Sequence, residues 1–200
     1  FPDVFKEGEE VVITEKLHGT NFRCGWVKVP IKIPFLPTIR YKYEFYVGSH
    51  RTVKGQLDNS VYKQIAKRYN LENLFKRYPG YIFYGEIVGK NIQDLDYGFN
   101  EPEVFFYDVM GPDLKYLSFD DSLGMIMDCG LNYVPILHQL EWDVNVKKIR
   151  NGCSFLAPNQ IREGIVIKPK IETYDHRLGR KILKLIGDEY LLRKNGTEFK

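Results

Sequence analysis

Apolar and polar side chains alternate, or run apolar in short bursts, along most of this chain. That is the pattern of β-strands. Glu10–Glu15 (EVVITE) and Thr20–Val29 (TNFRCGWVKV) show it first, with His18 and Gly19 between them as a turn. Arg40–Gly48 (RYKYEFYVG) alternates aromatic and polar residues, as a half-buried strand does. The prolines within Pro30–Pro37 predict an irregular excursion there. Tyr81–Val88, Val104–Val109, Tyr133–Leu137, Gly164–Lys168 and Lys181–Ile186 read as further strands. Over Asp58–Tyr78 the spacing becomes helical. Val61, Ile65 and Tyr69, then Leu71, Leu74 and Phe75, form an apolar stripe, and Asp58, Asn59 or Ser60 can cap it. Ser118–Cys129 predicts a helix ended by Gly130, with shorter helices over Val144–Arg150 and Asp188–Lys194. Strands and helices mix without regular βαβ alternation, which predicts an α+β fold with mainly antiparallel sheet.

Composition narrows the class. A chain of 200 residues suits one domain with a sizeable core. With 44% hydrophobic and 28% charged residues it is neither disordered nor collagen-like. No apolar run is long enough for a transmembrane helix. Cys24, Cys129 and Cys153 form no CxxC pair, and a reduced, intracellular setting is the simpler expectation. Net charge is +3, but it is unevenly spread. Residues 1–85 carry 14 Lys/Arg and 8 Asp/Glu, residues 86–145 carry 2 and 12, and residues 146–200 carry 13 and 6. Basic ends around an acidic middle suit a polyanion site assembled from distant segments, or a solvated acidic face.

The sharpest chemistry lies in Glu15-Lys16-Leu17-His18-Gly19-Thr20-Asn21. A lysine ends an apolar strand and a glycine turn follows at once, a geometry that can lift an amine toward a ligand. The segment resembles the KxHGTN form of motif I in covalent nucleotidyltransferases, specifically ATP-dependent RNA ligases of the RNA ligase 2-like group. Further motifs of that superfamily follow in order. Ser49-His50-Arg51 resembles motif Ia, Phe83–Glu86 (FYGE) motif III, and Phe105–Val109 (FFYDV) motif IIIa. Arg162–Pro169 (REGIVIKP) resembles motif IV and Ile182–Leu185 (ILKL) motif V. The resemblance spans residues 10 to about 190 and departs at two places. Motif V commonly reads KxK, and the second position here is Ile186. Lys181 or Arg180 are the neighbouring charges, although period-2 alternation puts Lys181 on the face opposite Lys184. The aromatic of motif IIIa is commonly Phe, and here it is Tyr107.

The resemblance implies a nucleotidyltransferase (adenylation) domain over residues 1–200. Its architecture would be two mainly antiparallel sheets flanked by helices, with the nucleotide in the cleft between them. It implies that Lys16 attacks the α-phosphate of ATP to form lysyl-AMP, that AMP passes to an RNA 5′-phosphate, and that a 3′-OH then seals the strand. Lys168 and Lys184 would assist catalysis. Glu15, His18, Gly19, Asn21, Arg51, Glu86, Tyr107 and Glu163 would bind the nucleotide, and Glu86 and Glu163 would hold Mg²⁺ or Mn²⁺. Two carboxylates at a distance suffice for an ion that keeps several of its waters. Glu86 is also notable without the resemblance, since a carboxylate inside an apolar run needs a partner or a function. The other classes consistent with the pattern are a GTP-dependent RNA capping enzyme, a DNA ligase and a nucleotide-binding pseudo-ligase; His18, where capping enzymes and DNA ligases usually carry Asp, argues against those two, and the intact Lys16, Glu86, Glu163 and Lys168 argue against the pseudo-ligase, for which Ile186 is the one foothold. Lys16 lies near the start and little chain follows motif V, so a core excised from a longer ligase with an accessory domain is expected.

Overall fold

Two four-stranded sheets, each antiparallel at every pairing, build the molecule. The structure, a computed structural model, describes residues 3–31, 40–50 and 60–193. The strands are β1 (Glu10–Lys16), β2 (Thr20–Pro30), β3 (Tyr41–Gly48), β4 (Ile82–Val88), β5 (Glu103–Met110), β6 (Ile136–Glu141), β7 (Gly164–Pro169), β8 (Tyr174–Asp175), β9 (Gly179–Arg180) and β10 (Leu183–Ile186). The first sheet runs β10-β7-β1-β6 and the second β3-β2-β4-β5, while β8 and β9 pair as a small ribbon. The α+β class expected from the sequence is the class observed.

Each sheet buries one face in its own core. In the first sheet, Val11 and Ile13 of β1 alternate with Ile165 and Ile167 of β7, covered by Val4, Phe5, Trp142 and Val146. In the second, Phe22, Phe83 and Phe106 point the other way, against α1 (Val61–Arg68), α2 (Leu71–Leu74) and α3 (Phe119–Asp128). The rings of Phe75 and Phe83 stack at 3.8 Å there. A third cluster of Leu17, Val88, Tyr97, Phe105, Val134 and Ala157 joins the sheets near the β1–β2 turn. The two remaining sheet faces look at one another, and the polar residues of the alternating strands end up between them.

Several elements differ from the sequence pattern for identifiable reasons. The helical stripe over 58–78 is broken at Asn70, whose φ of +51° ends one helix and starts the next. It continues as α2 and a 3₁₀ turn, Phe75–Arg77. Asp58 and Asn59 lie outside the described residues, and Ser60 stands at the cap of α1 without a side-chain capping bond. The strand expected over Tyr133–Leu137 begins only at Ile136, after Pro135. Val144–Arg150 is a 3₁₀ helix, and the last helix, α4, spans Asp188–Leu192. Ser118 caps α3 by accepting from the Asp121 amide, and Gly130, with φ +66°, follows the helix as expected. Residues 32–39, most of the proline-rich excursion, lie outside the described residues. No described helix is long and apolar enough to cross a membrane. Cys24 and Cys129 are buried and free, and Cys153 is exposed and free.

Backbone closeness makes glycine obligatory at several places, two of them beside Lys16. A Cβ on Gly19 would lie 2.2 Å from the Ile87 carbonyl oxygen, and one on Gly164 would lie 2.1 Å from that of Leu185. Gly164 is the bridge between β1 and β10, paired with Lys16 on one side and Ile186 on the other. Gly164→Ala should therefore push β10 off β7. The expected cost is about 1–3 kcal/mol, as for other overpacked sites. A thermal-unfolding midpoint lowered by several degrees checks it. An unchanged midpoint would show that β10 is not held as described.

Candidate active site

Lys16 ends an interior strand, flanked by β7 and β6, rather than an edge. The next strand, β2, belongs to the other sheet, so Leu17-His18-Gly19 is a crossing between sheets and not a hairpin. Alternation along β1 turns Thr14 and Lys16 toward the cleft and Ile13 into the core. The register sets Val166 beside Thr14, and Lys184 beside Val166, so the first sheet offers a wall bearing Lys16, Lys168 and Lys184. The opposite wall carries Asn21 of β2 with Glu86 of β4 directly across from it. Between them lies a cleft of about 470 Å³. A recess of about 240 Å³ adjoins it, lined by His18, Gly19, Gln93 and Glu163, and both spaces share Lys16 and Glu86.

Tyr107 reaches the cleft through a β-bulge. Tyr84 pairs with Asp108 and Gly85 with Phe106, so Tyr107 is the extra residue of β5. A bulge re-aims side chains, and here both Tyr107 and Asp108 line the cleft. Tyr107 also packs against the cluster of Leu17, Val88 and Phe105 that joins the sheets. The Asn21 Nδ2 donates to the Tyr107 hydroxyl at 2.7 Å, and Asn21 Oδ1 is buried with no hydrogen-bond partner among the described residues.

The charges are tightly interlocked. The Lys16 amine pairs with Glu163 Oε1. Lys168 Nζ donates to Asp108 Oδ1 at 2.6 Å and to the Tyr107 carbonyl at 3.0 Å. Arg180 donates to both Asp108 oxygens, at 2.5 and 2.9 Å, pairs also with Glu172, and lies 3.8 Å over the Tyr116 ring. Burial alone would raise the Asp108 carboxyl, but the charges of Lys168 and Arg180 outweigh it and hold the group below its ordinary range. Glu86 is pushed up from an ordinary 4.5 to about 7, first by burial and also by the charge of Glu163, with Lys16 and Lys184 opposing. Glu15 is raised by burial. One of its oxygens accepts from the Phe155 amide at 2.8 Å, and the other, Oε1, is buried without a partner among the described residues.

The cleft thus brings together Glu15, Lys16, Asn21, Glu86, Tyr107, Lys168 and Lys184. His18, Gly19 and Glu163 line the recess beside it. Arg51 lies outside the described residues, whereas its neighbour His50 lines the cleft. Of the two charges that could replace one at Ile186, Arg180 lines the cleft; Lys181 instead holds Glu9 at 2.6–2.7 Å. Sequence reading missed Asp108, although a carboxylate inside FFYDV carries the same signal as Glu86. It also missed Asp94 and Tyr190, which flank His18 from 76 and 172 residues away. No local pattern could have found those two. Among the described residues no group of three or more His, Cys, Asp or Glu could hold a metal ion.

Solved structures share this architecture. A Naegleria gruberi RNA ligase with PPi superposes with a TM-score of 0.75 and 20% identity, over 95% of this chain and 53% of that one. A mutant of that ligase with ATP and Mn gives 0.74 and 19%, over 92% and 51%. Another, with AMP and Mn, gives 0.73 and 20%, over 92% and 52%. The chain therefore spans about half the length of the ligases it matches. No curated protein matches the sequence. The family model for RNA ligase matches residues 9–186, nearly the full length and every element of the cleft. This chain belongs to the RNA ligase family.

Proposed function

We propose that this chain is the adenylation core of an ATP-dependent RNA ligase acting on RNA with 5′-phosphate and 3′-OH ends. The observation that carries the reading is the Lys16 amine at the junction of cleft and recess, held by Glu163 and facing Glu86. The relatives that share the fold carry ATP, AMP or PPi in their solved forms, which are the substrate, the transferred nucleotide and the leaving group of such a step. In the reaction, Lys16 Nζ attacks the α-phosphorus of ATP. A P–N bond forms, the bond to the β-phosphate oxygen breaks, and pyrophosphate leaves. Glu163 Oε1 touches the amine and is placed to take its proton. Lys184 and, once drawn from Asp108, Lys168 offer positive charge to the α-phosphate as its own charge develops. The buried, unsatisfied Oδ1 of Asn21 is an acceptor for a donor group of the nucleotide. AMP then passes to an RNA 5′-phosphate, and a 3′-OH displaces it to join the strand.

Glu86 and Glu163 fit a divalent cation. They are two carboxylates close enough for one to raise the other's proton affinity, and a cation would relieve that repulsion. Mg²⁺ or Mn²⁺ held there would neutralise phosphate charge near Lys16.

Incubation with ATP and Mg²⁺ should add one AMP to the intact mass, and Lys16→Met and Lys16→Arg should both abolish the addition. Arginine keeps the charge but never becomes a nucleophile at neutral pH. A labelled Lys16→Met protein would refute the assignment.

Glu86 gives a prediction in pH. Its folded carboxyl titrates at about 7 rather than 4.5, so the folded state holds the proton more tightly. The resulting stabilisation is complete below about 4.5 and is lost as pH rises through about 7. Glu86→Gln should therefore unfold at a higher temperature than wild type at pH 8, by a few degrees, and at about the same temperature at pH 4.5. Adenylylation by the same variant should fall about 10–100-fold. Unchanged labelling would remove Glu86 from the site.

A further inference from the structure

The His18 ring is buried, yet it belongs to none of the three hydrophobic clusters. Its Nε2 is bound to Asp94, in the loop between β4 and β5. A carboxylate only accepts, so Nε2 carries the hydrogen. Nδ1 then shares a hydrogen bond with the Tyr190 hydroxyl at 2.8 Å, and lies 3.9 Å from Glu163 Oε2. The other oxygen of Glu163 holds Lys16. The His18 amide donates to the Tyr97 hydroxyl at 2.6 Å. Ring and backbone are thus gripped from three directions.

Two of these grips come from unusual places. The β4–β5 loop holds Asn91 at φ +65° and Tyr97 at φ +55°, conformations that side-chain-bearing residues rarely adopt. Tyr190 comes from α4, the short helix after β10, and is fully buried. Arg193, just beyond α4, stacks on the Tyr190 ring at 3.4 Å, donates to the Tyr190 carbonyl at 2.9 Å, and pairs with Asp94 at 3.1 Å. The far end of α4 is pinned by Arg150 and Asn151 on Asp188. A run of contacts therefore joins Arg193, Asp94 and His18, and His18 stands 3.9 Å from the carboxylate that holds Lys16. None of Asp94, Tyr190 and Arg193 lines the cleft or the recess.

We propose that Tyr190, Asp94 and Arg193 are positioning residues for the adenylylation step: α4 and the β4–β5 loop clamp His18, and through it fix the Lys16–Glu163 pair for attack. This rests on the ligase-core reading above. A clamp of this kind acts on rate more than on ATP affinity, because its members meet no part of the nucleotide cleft. Ordinary packing, by contrast, would act on folding stability.

The experiment uses the whole chain and compares Tyr190→Phe, Asp94→Asn and Arg193→Ala with wild type, and Arg177→Ala as an unrelated surface ion-pair control. Three quantities are read. They are the single-turnover rate of lysyl-AMP formation at saturating ATP, the ATP concentration giving half that rate, and the ¹⁵N imidazole resonances of His18 without ATP. We expect the clamp variants to lose about tenfold or more in rate, with half-saturation within about twofold of wild type. Tyr190→Phe should shift His18 Nδ1, and Asp94→Asn should shift Nε2. Arg193→Lys should restore part of the rate, and Arg177→Ala should match wild type. If Tyr190→Phe fails to fold, the partly exposed Asp94 and Arg193 variants decide the matter. Wild-type rates in folded variants overturn the proposal, as does a rate loss matched by an equal loss of ATP affinity. A wild-type chain that forms no lysyl-AMP overturns the ligase-core reading and the clamp with it.

Discussion

Every cation in the walls of this cleft that is drawn out of water needs a carboxylate to hold it, and that need shapes the site. An amine buried without a partner costs several kcal/mol, and a buried pair is tolerated only with good geometry and further hydrogen bonds. Asp108 meets the requirement for two cations at once, accepting from Lys168 on one sheet and from Arg180 beyond it. Because Asp108 stands on β5 and Lys168 on β7, this cluster is also a tie between the two sheets. Glu163 does the same for Lys16 at the other end.

The uneven charge along the chain takes on a different meaning in three dimensions. The basic ends of the sequence supply Lys16, Lys168, Arg180 and Lys184, and the acidic middle supplies Glu86 and Asp108. These are not a basic surface and a separate acidic one. They face each other across a single cleft, where Asp108 of the acidic middle holds Lys168 and Arg180 of the basic end. Composition alone left open whether the acidic stretch was a solvated face, because burial of a charge is a property of tertiary contact.

What was legible in the sequence follows from the same distinction between local and long-range causes. Strand β1 could be read because its apolar run and its ending at Lys16 are local. Alternation also told correctly that Lys181 leaves the face of Lys184. The bulge at Tyr107 could not be read, because it depends on register against β4, and in a strand of the same sequence without it Tyr107 and Asp108 could not both face the cleft. The break at Asn70 was hidden inside a good apolar stripe, since only the left-handed backbone of one residue separates α1 from α2. The partners of His18 were illegible for the plainest reason, that they come from other ends of the chain.

The turn from Lys16 to Asn21 gathers these constraints into five peptide steps. Lys16 must face the cleft from one sheet, and Asn21 must face it from the other. His18, between them, turns away into the grip of Asp94 and Tyr190, and Gly19 lets β2 approach β4 more closely than any side chain permits. On the neighbouring strands, Ile186 and Gly164 stand in the same row as Lys16, so a residue at 186 shares its face of the sheet. An apolar residue there leaves Glu163 with a single lysine to hold. A further positive charge enters the cleft from β9, as Arg180, at the opposite end and tethered to Asp108. Lys16 is thus paired with Glu163 at one end, and Arg180 is kept beside the tyrosines that wall the far end of the cleft.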